Sequence, residues 1–200
     1  FLNDASGAYS SVSGGELNDA DGWYSSVSGG TCNDANGRYS SVSGGAVNDA
    51  SGYSSSVTGG LSNDAGGECS SVTGGRRNKA TGEYSYVGGG GGPEVSDGNQ
   101  AFAGYSAILG GAENIAGDPG FSDHGIGINS SVSGGYNNTA SGDYSSVSAG
   151  HSNTAGQTGS SVSGGENNSA NGHYSSVSGG NSDSVENYHD WRAGELFQTN

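Results

Sequence analysis

Small aliphatic residues recur at two fixed places in a repeat that is 15 residues long. In "NDASGAYSSVSGGEL" the first half has the pattern N-x-A-x-G-x-x and the second half has the pattern S-x-V-x-G-G-x-x. Numbering from the asparagine, alanine stands at position 3 and valine at position 10, each two residues after a polar residue. Alternation at period two predicts two short strands per repeat. The glycines that follow each strand predict two tight corners with positive φ.

A unit of 15 residues is too short for a strand, a helix and a second strand, but it fits one coil of a solenoid. The sequence therefore predicts an all-β, parallel β-solenoid of about twelve coils, with coils stacked about 4.8 Å apart. Regular coils are expected over residues 1–90 and 130–182, and two loop insertions interrupt the coils within 91–129. Residues 183–200 are expected to form a degenerate last coil and a C-terminal cap or hand-over segment.

Composition alone gives a different picture, because 42 glycines and a formal charge of -15 are typical of disordered chains. The constant register of the repeat favours order over that interpretation. One alanine and one valine per coil make a very thin core, so we expect a homo-oligomer in which the flat strip of serines beside each valine lets another chain approach. An acidic surface with five cationic side chains argues against nucleic acid, and no apolar stretch is long enough for membrane insertion.

The runs "NDASGAYSSVSGG", "NNTASGDYSSVSAG" and "NNSANGHYSSVSGG" resemble the YadA-like head repeats of trimeric autotransporter adhesins, also called hemagglutinin-type repeats. The resemblance extends from Asn3 to Gly180. It implies a left-handed parallel β-roll, three chains packed side by side, and display outside a bacterial cell for attachment. Similar repeats of glycine, serine and asparagine also resemble those of some phage tail fibres.

These features predict a non-enzymatic, extracellular or cell-surface protein that acts as an adhesin head or a structural rod, with a host or matrix surface as the ligand. The alternatives are a filament subunit that assembles end to end, a phage tail fibre, and an ice-binding solenoid with a flat hydroxyl face. The four histidines have no zinc-site spacing, and serines are too common for a catalytic triad to be singled out. Cys32 and Cys69 fall at opposite edges of the predicted solenoid, which excludes a disulfide within the chain.

A column of carboxylates is predicted on the outer surface, because aspartate follows the asparagine in five successive coils. These residues are Asp4, Asp19, Asp34, Asp49 and Asp64. Carboxylate oxygens are ligands that Ca²⁺ prefers, so weak calcium binding is one hypothesis for this column. The alternative is an acidic stripe that favours solubility, and no other cofactor is expected.

Tyrosine recurs at one corner position, where stacked rings would stabilise neighbouring coils or would grip glycans or polymers. This position is filled by Tyr9, Tyr24, Tyr39, Tyr84, Tyr105, Tyr144 and Tyr174. Trp23 lies next to Tyr24 and is the aromatic residue that we expect to contact a partner.

Apolar residues replace polar ones on the outer surface of the two coils around the insertions, and they predict a second partner-binding surface. Its candidate residues are Phe102, Leu109, Ile115 and Phe121. Trp191 and Phe197 are the candidates in the C-terminal segment. Within the second insertion Asp118, Asp123 and His124 could form a ligand or metal site, or the insertion could fold over the apolar surface.

Overall fold

The computed structural model of the chain describes residues 2–120 and 126–194. It confirms an all-β solenoid of parallel strands, with coils that repeat every 15 residues outside the insertions. Coils are numbered here from the one that begins at Asn3. Within the described residues each strand has two residues, as follows: β1 (Ser11–Val12), β2 (Ser26–Val27), β3 (Ser41–Val42), β4 (Ser56–Val57), β5 (Asp64–Ala65), β6 (Ser71–Val72), β7 (Lys79–Ala80), β8 (Tyr86–Val87), β9 (Gln100–Ala101), β10 (Ala107–Ile108), β11 (Ile115–Ala116), β12 (Ser131–Val132), β13 (Thr139–Ala140), β14 (Ser146–Val147), β15 (Thr154–Ala155), β16 (Ser161–Val162), β17 (Ser169–Ala170), β18 (Ser176–Val177), β19 (Ser184–Val185) and β20 (Trp191–Arg192).

Two parallel sheets form the walls of the solenoid. Over the described residues, the sheet that contains the valines has 12 strands in the order β1-β2-β3-β4-β6-β8-β10-β12-β14-β16-β18-β20. The sheet that contains the alanines has eight strands, from β5 to β19, and isolated parallel bridges continue it through the first coils to Asp4. A third column of parallel bridges, which the sequence did not predict, runs along the second corner from Glu16 to Arg76 and from Ala112 to Asn181.

The interior consists of four columns, two apolar and two polar. Alanine at position 3 and valine or isoleucine at position 10 are buried from coil 2 to coil 11 and form one continuous hydrophobic cluster. Asparagine at position 1 and serine at position 8 are buried beside them, as the alternation predicts. The core therefore remains thin, and half of its side chains are polar groups that burial removes from water.

The asparagine column forms a ladder of hydrogen bonds through the whole rod. The Oδ1 atom of Asn33 accepts the backbone N–H of Asn48 at 3.1 Å. The Nδ2 atom of Asn33 donates to the carbonyl oxygens of Gly29 and Gly45, both at 3.0 Å. Each asparagine thus holds the second corner of two coils and fixes the register of the next one.

Two glycines per coil are needed for different reasons. A Cβ atom on Gly22 would lie 2.1 Å from the carbonyl oxygen of Gly37 in the next coil, so position 5 is glycine because of close backbone approach. Gly30, at position 13, has a φ of 93°, and a Cβ atom there would also be 2.2 Å from a carbonyl oxygen. The prediction that the corner glycines supply positive φ is therefore wrong for position 5 and for most glycines at position 12, and it is confirmed at position 13.

The other corner residues with positive φ are mostly not glycines. Tyr24 has a φ of 59° and Val47 a φ of 57°, although this region costs a residue with a side chain about 1–2 kcal/mol. Stacking provides the compensation, because the N–H of Tyr24 donates to Ala8 O at 2.9 Å and that of Val47 to Thr31 O at 3.0 Å. Each corner is thus held by the coil before it.

The asparagine ladder continues across both insertions. The first insertion leaves the second corner, contains a 3₁₀ turn at Val95–Asp97, and the N–H of Asn99 still donates to Asn78 Oδ1 at 3.0 Å. The second begins after Ala116 at the first corner, and the N–H of Asn138 donates to Asn114 Oδ1 at 3.0 Å. The polar interior therefore continues undisturbed from the coil before each insertion to the coil after it.

The ladder ends in an ion pair in the last coil. Asp183 replaces the asparagine and Arg192 replaces the valine, and the Arg192 Nε lies 2.6 Å from Asp183 Oδ1. The backbone N–H of Asp183 still donates to Asn168 Oδ1 at 2.9 Å. A carboxylate cannot donate hydrogen bonds as an amide does, so this coil satisfies its polar interior with the guanidinium instead.

Replacement of one ladder residue is expected to destabilise the rod. Asn33→Ala leaves the N–H of Asn48 and the carbonyl oxygens of Gly29 and Gly45 without their side-chain partner, which should lower the free energy of unfolding by about 3 kcal/mol. Urea denaturation followed by circular dichroism measures this loss. The matched control is Asn36→Ala in the same coil, where the side chain is exposed and the change should stay within about 0.5 kcal/mol. Equal losses in the two variants would contradict a structural ladder.

Candidate functional site

The outward residues of the first corner make the chemically richest surface of the described part of the chain. Positions 2, 4 and 6 alternate with buried positions, so Asp19, Asp21 and Trp23 of coil 2 point outward together. In coil 3 the same positions carry Asp34, Asn36 and Arg38. This surface therefore combines carboxylates, an amide, a guanidinium and an indole ring on a rigid wall.

The predicted aspartate column is present in the structure. Asp4, Asp19, Asp34, Asp49 and Asp64 pair in parallel register from coil 1 to coil 5. Lys79 pairs in register with Asp64 at the far end of the column.

Stacking partly shields the four carboxylates that follow Asp4 in this column from water. Burial raises the pKa of Asp19 and Asp34, and the neighbouring carboxylates raise it further. Burial is also the first cause of the raised pKa of Asp49 and Asp64, and Lys79 opposes the rise at Asp64. Asp19 Oδ1 and Asp49 Oδ1 are buried and accept no hydrogen bond from the described residues, which adds a desolvation cost.

Within the described residues, Asp4 and Asp19 are the members of the aspartate column that lie close enough to a third carboxylate to hold a cation together. One carboxylate oxygen each from Asp4, Asp19 and Asp21 lies within 4.8 Å of the other two. Asp21 was not among the residues predicted from the sequence, although its place two residues after Asp19 on the same face was the available signal. Three carboxylates supply fewer oxygens than the six to eight that Ca²⁺ takes, so the calcium hypothesis concerns weak binding at this end.

The aromatic residues stack along the first corner as the sequence predicts. Tyr9 and Tyr24 have ring centroids 4.8 Å apart, and Tyr24 and Tyr39 have centroids 5.2 Å apart with nearly parallel planes. In coil 4 the tyrosine lies at position 6 instead of position 7. The Tyr53 and Tyr39 rings form a T-shaped pair with their centroids 5.6 Å apart. Trp23 stands beside this stack, and 58% of its surface is exposed. Rings that stabilise neighbouring coils are therefore also open to a partner.

The other predicted partner-binding residues lie far from Trp23. Leu109 is exposed on the valine sheet of coil 7. Phe102 and Ile115 are half-buried near the alanine sheet in coils 7 and 8. Trp191 is exposed on coil 12, and its Nε1 donates to Ser178 Oγ at 2.8 Å. Five or six rungs separate Trp23 from Phe102, Leu109 and Ile115, or at least about 24 Å at the spacing of hydrogen-bonded strands, and Trp191 lies four or five rungs further along.

Several predicted residues lie outside the described residues. These are Phe121, Asp123, His124 and Phe197. Asp118, the remaining candidate of the second insertion, accepts the N–H of Gly120 at 2.8 Å through its Oδ1. Cys32 and Cys69 form no disulfide within the chain. Among the described residues there is no helix that is both long and apolar enough to cross a membrane.

No protein-family model matches the chain, and no curated protein matches it.

Acidification is expected to stabilise the fold. The raised pKa of Asp49 means that the folded chain binds protons more tightly than the unfolded chain, in which aspartate titrates near 3.8. The free energy of unfolding should therefore fall as the pH rises from about 3.8 through the raised pKa, and the full penalty is present above it. Asp49→Asn should raise the stability at pH 7 and weaken this pH dependence, as measured by urea denaturation at several pH values. Glu68→Gln removes the same charge from an exposed side chain and serves as the control.

The calcium hypothesis predicts that binding at Asp4, Asp19 and Asp21 requires all three carboxylates. Isothermal titration with millimolar CaCl₂ should give heat with the parent chain and none with Asp21→Asn. The matched control is Asp64→Asn, which removes a carboxylate of the same column outside the cluster and should leave the heat unchanged. A parent chain without heat would leave the aspartates as an acidic stripe.

Proposed function

We propose that the chain works as a non-enzymatic rod at the outer surface of a cell, where it serves as an adhesive head or a structural spacer and assembles as a homotrimer. The resemblance of its repeats to the heads of trimeric adhesins is the origin of this proposal. The observation that carries it is the outward surface of the valine sheet, which is a long strip of small hydroxyl side chains.

The serine strip supports close packing between chains. Positions 9 and 11 flank each valine and carry serine or threonine in coils 1 to 5 and 8 to 11, for example Ser161 and Ser163. Short side chains on a flat parallel sheet let a second sheet approach without steric conflict, and burial of this surface would add to the thin core of each chain. Tyr86 and Leu109 are the larger residues that interrupt the strip near its middle.

A rigid rod also suits adhesion because it presents side-chain columns in fixed register. Loops and corner residues on such a scaffold bind with little loss of conformational entropy. The first corner, with its aromatic stack, is the surface that offers such contacts in the described residues. No catalytic group is required for this role.

Light scattering of the purified chain should give three times the mass of one chain, and Ser161→Arg should reduce it to a single chain. The arginine places a charge and a long side chain in the strip that would face another copy. Thr154→Arg makes a similar change on the other sheet of the same coil and should leave the trimer intact. A monomeric parent chain would contradict the trimer.

Electron microscopy of the same material separates the two modes of assembly. Short discrete rods support the adhesive head. Long uniform fibres would contradict it and support a filament that grows end to end.

A further inference from the structure

We propose that the first corner of coils 1 to 4 is a binding site for an uncharged carbohydrate chain, centred on Trp23. The inference rests on the proposed adhesive role and names the chemical class of its ligand. The site is called here the aromatic platform and comprises Tyr9, Trp23, Tyr24, Tyr39 and Tyr53 together with Arg38.

The aromatic platform exposes large rings that a single chain does not need to expose. All five rings are exposed, although aromatic side chains of this size usually lie in cores or interfaces. Contiguous exposed apolar surface rimmed by polar groups marks interaction sites on soluble proteins. The platform runs over four consecutive coils, so it is an elongated surface that suits a chain-like ligand.

Contacts among its own residues hold the platform in place. The Arg38 guanidinium carbon lies 5.9 Å from the centre of the Trp23 ring and 4.8 Å from that of Tyr39. Arg38 also donates a hydrogen bond to the Tyr39 hydroxyl at 3.0 Å. Arg38 thus connects Trp23 with Tyr39 of the next coil, and this contact reduces the side-chain entropy that Trp23 would lose on binding.

Beside the indole ring is a shallow recess of about 400 Å³ whose polar lining suits hydroxyl groups. Asp21 supplies acceptors, Arg38 supplies donors, and the Asn36 amide supplies both. A sugar hydroxyl both donates and accepts, so all three side chains can bind it. The C–H face of a sugar ring is weakly positive and packs against the exposed part of an aromatic ring, and 58% of the Trp23 surface is exposed.

The charges around the platform argue against anionic ligands, and the position of Arg38 argues against a cationic side chain on the rings. Residues 3–62 carry six carboxylates and one cation, Arg38, so sulfated or sialylated glycans and nucleic acids would be repelled. The carboxylates would attract a basic peptide, but its cationic side chains would be repelled by the Arg38 guanidinium beside the Trp23 and Tyr39 rings. An uncharged, hydroxyl-rich chain is the ligand that this combination favours.

The test uses the fluorescence of Trp23 in the full chain. The chain has two tryptophans, so Trp191→Phe leaves Trp23 as the single reporter. Titration with cello-, malto- and chitohexaose should shift its emission for at least one of these uncharged sugars. Heparin fragments and a polylysine peptide should give no shift at the same concentration.

Variants then locate the site by calorimetric titration with the sugar that binds. Trp23→Ala should weaken binding by about 30-fold, the loss typical of a central aromatic contact. The matched control is Trp191→Ala, which removes the other exposed tryptophan and should bind as the parent does. Unchanged thermal unfolding of Trp23→Ala shows that the rod is intact.

Three outcomes would overturn the proposal: no neutral sugar binds at millimolar concentration, the heparin or polylysine probe binds instead, or Trp23→Ala binds as well as the parent. In parallel, the attachment of cells or beads that are coated with the chain is measured for the parent and for Trp23→Ala. Attachment that survives Trp23→Ala would remove this site and leave the adhesive role standing. A parent chain that does not mediate attachment would contradict the adhesive role. Sugar binding would then be judged from the titration.

Discussion

The hydrogen-bond ladder of buried asparagines is the interaction on which the rest of the structure depends. Each Oδ1 accepts the backbone N–H of the next asparagine, and each Nδ2 donates to carbonyl oxygens at the second corner. The buried serine column is not equivalent, because the Oγ atoms of Ser25, Ser40 and Ser55 make no hydrogen bond with the described residues. Valine and alanine add hydrophobic area, but the asparagines determine the register.

A fixed interior leaves the surface free to vary. Outward positions 2, 4 and 6 change from coil to coil while the ladder and the buried valines persist, and both insertions leave at corners without breaking it. Acidic, aromatic and apolar groups therefore occupy separate stretches of one rod. The carboxylates stack at a cost in desolvation, which appears as raised pKa values at Asp19 and Asp34. The surface can carry residues that lower stability, such as the stacked carboxylates, because the asparagine ladder that stabilises the rod lies in the interior.

The period of the repeat was sufficient to predict the solenoid, the inward columns and the stacked tyrosines. It was not sufficient for the corners, because positive φ at Val47 depends on a hydrogen bond to the previous coil, which residue preference alone does not reveal. The contact of Arg38 with Trp23 and the approach of Asp21 to Asp4 and Asp19 involve side chains of adjacent coils. Such contacts depend on side-chain conformation, which the repeat pattern leaves open. The ion pair of Asp183 and Arg192 could have been inferred, since both replace inward residues of one coil.

Hydrogen exchange of the ladder amides tests the central claim most directly. The backbone N–H groups of Asn33, Asn99 and Asn138 each donate to the preceding asparagine, so all three should exchange slowly and at similar rates. Similar protection at Asn99 and Asn138 would mean that the ladder is continuous across the insertions. Exchange of these amides as fast as that of an exposed loop amide would contradict a continuous ladder.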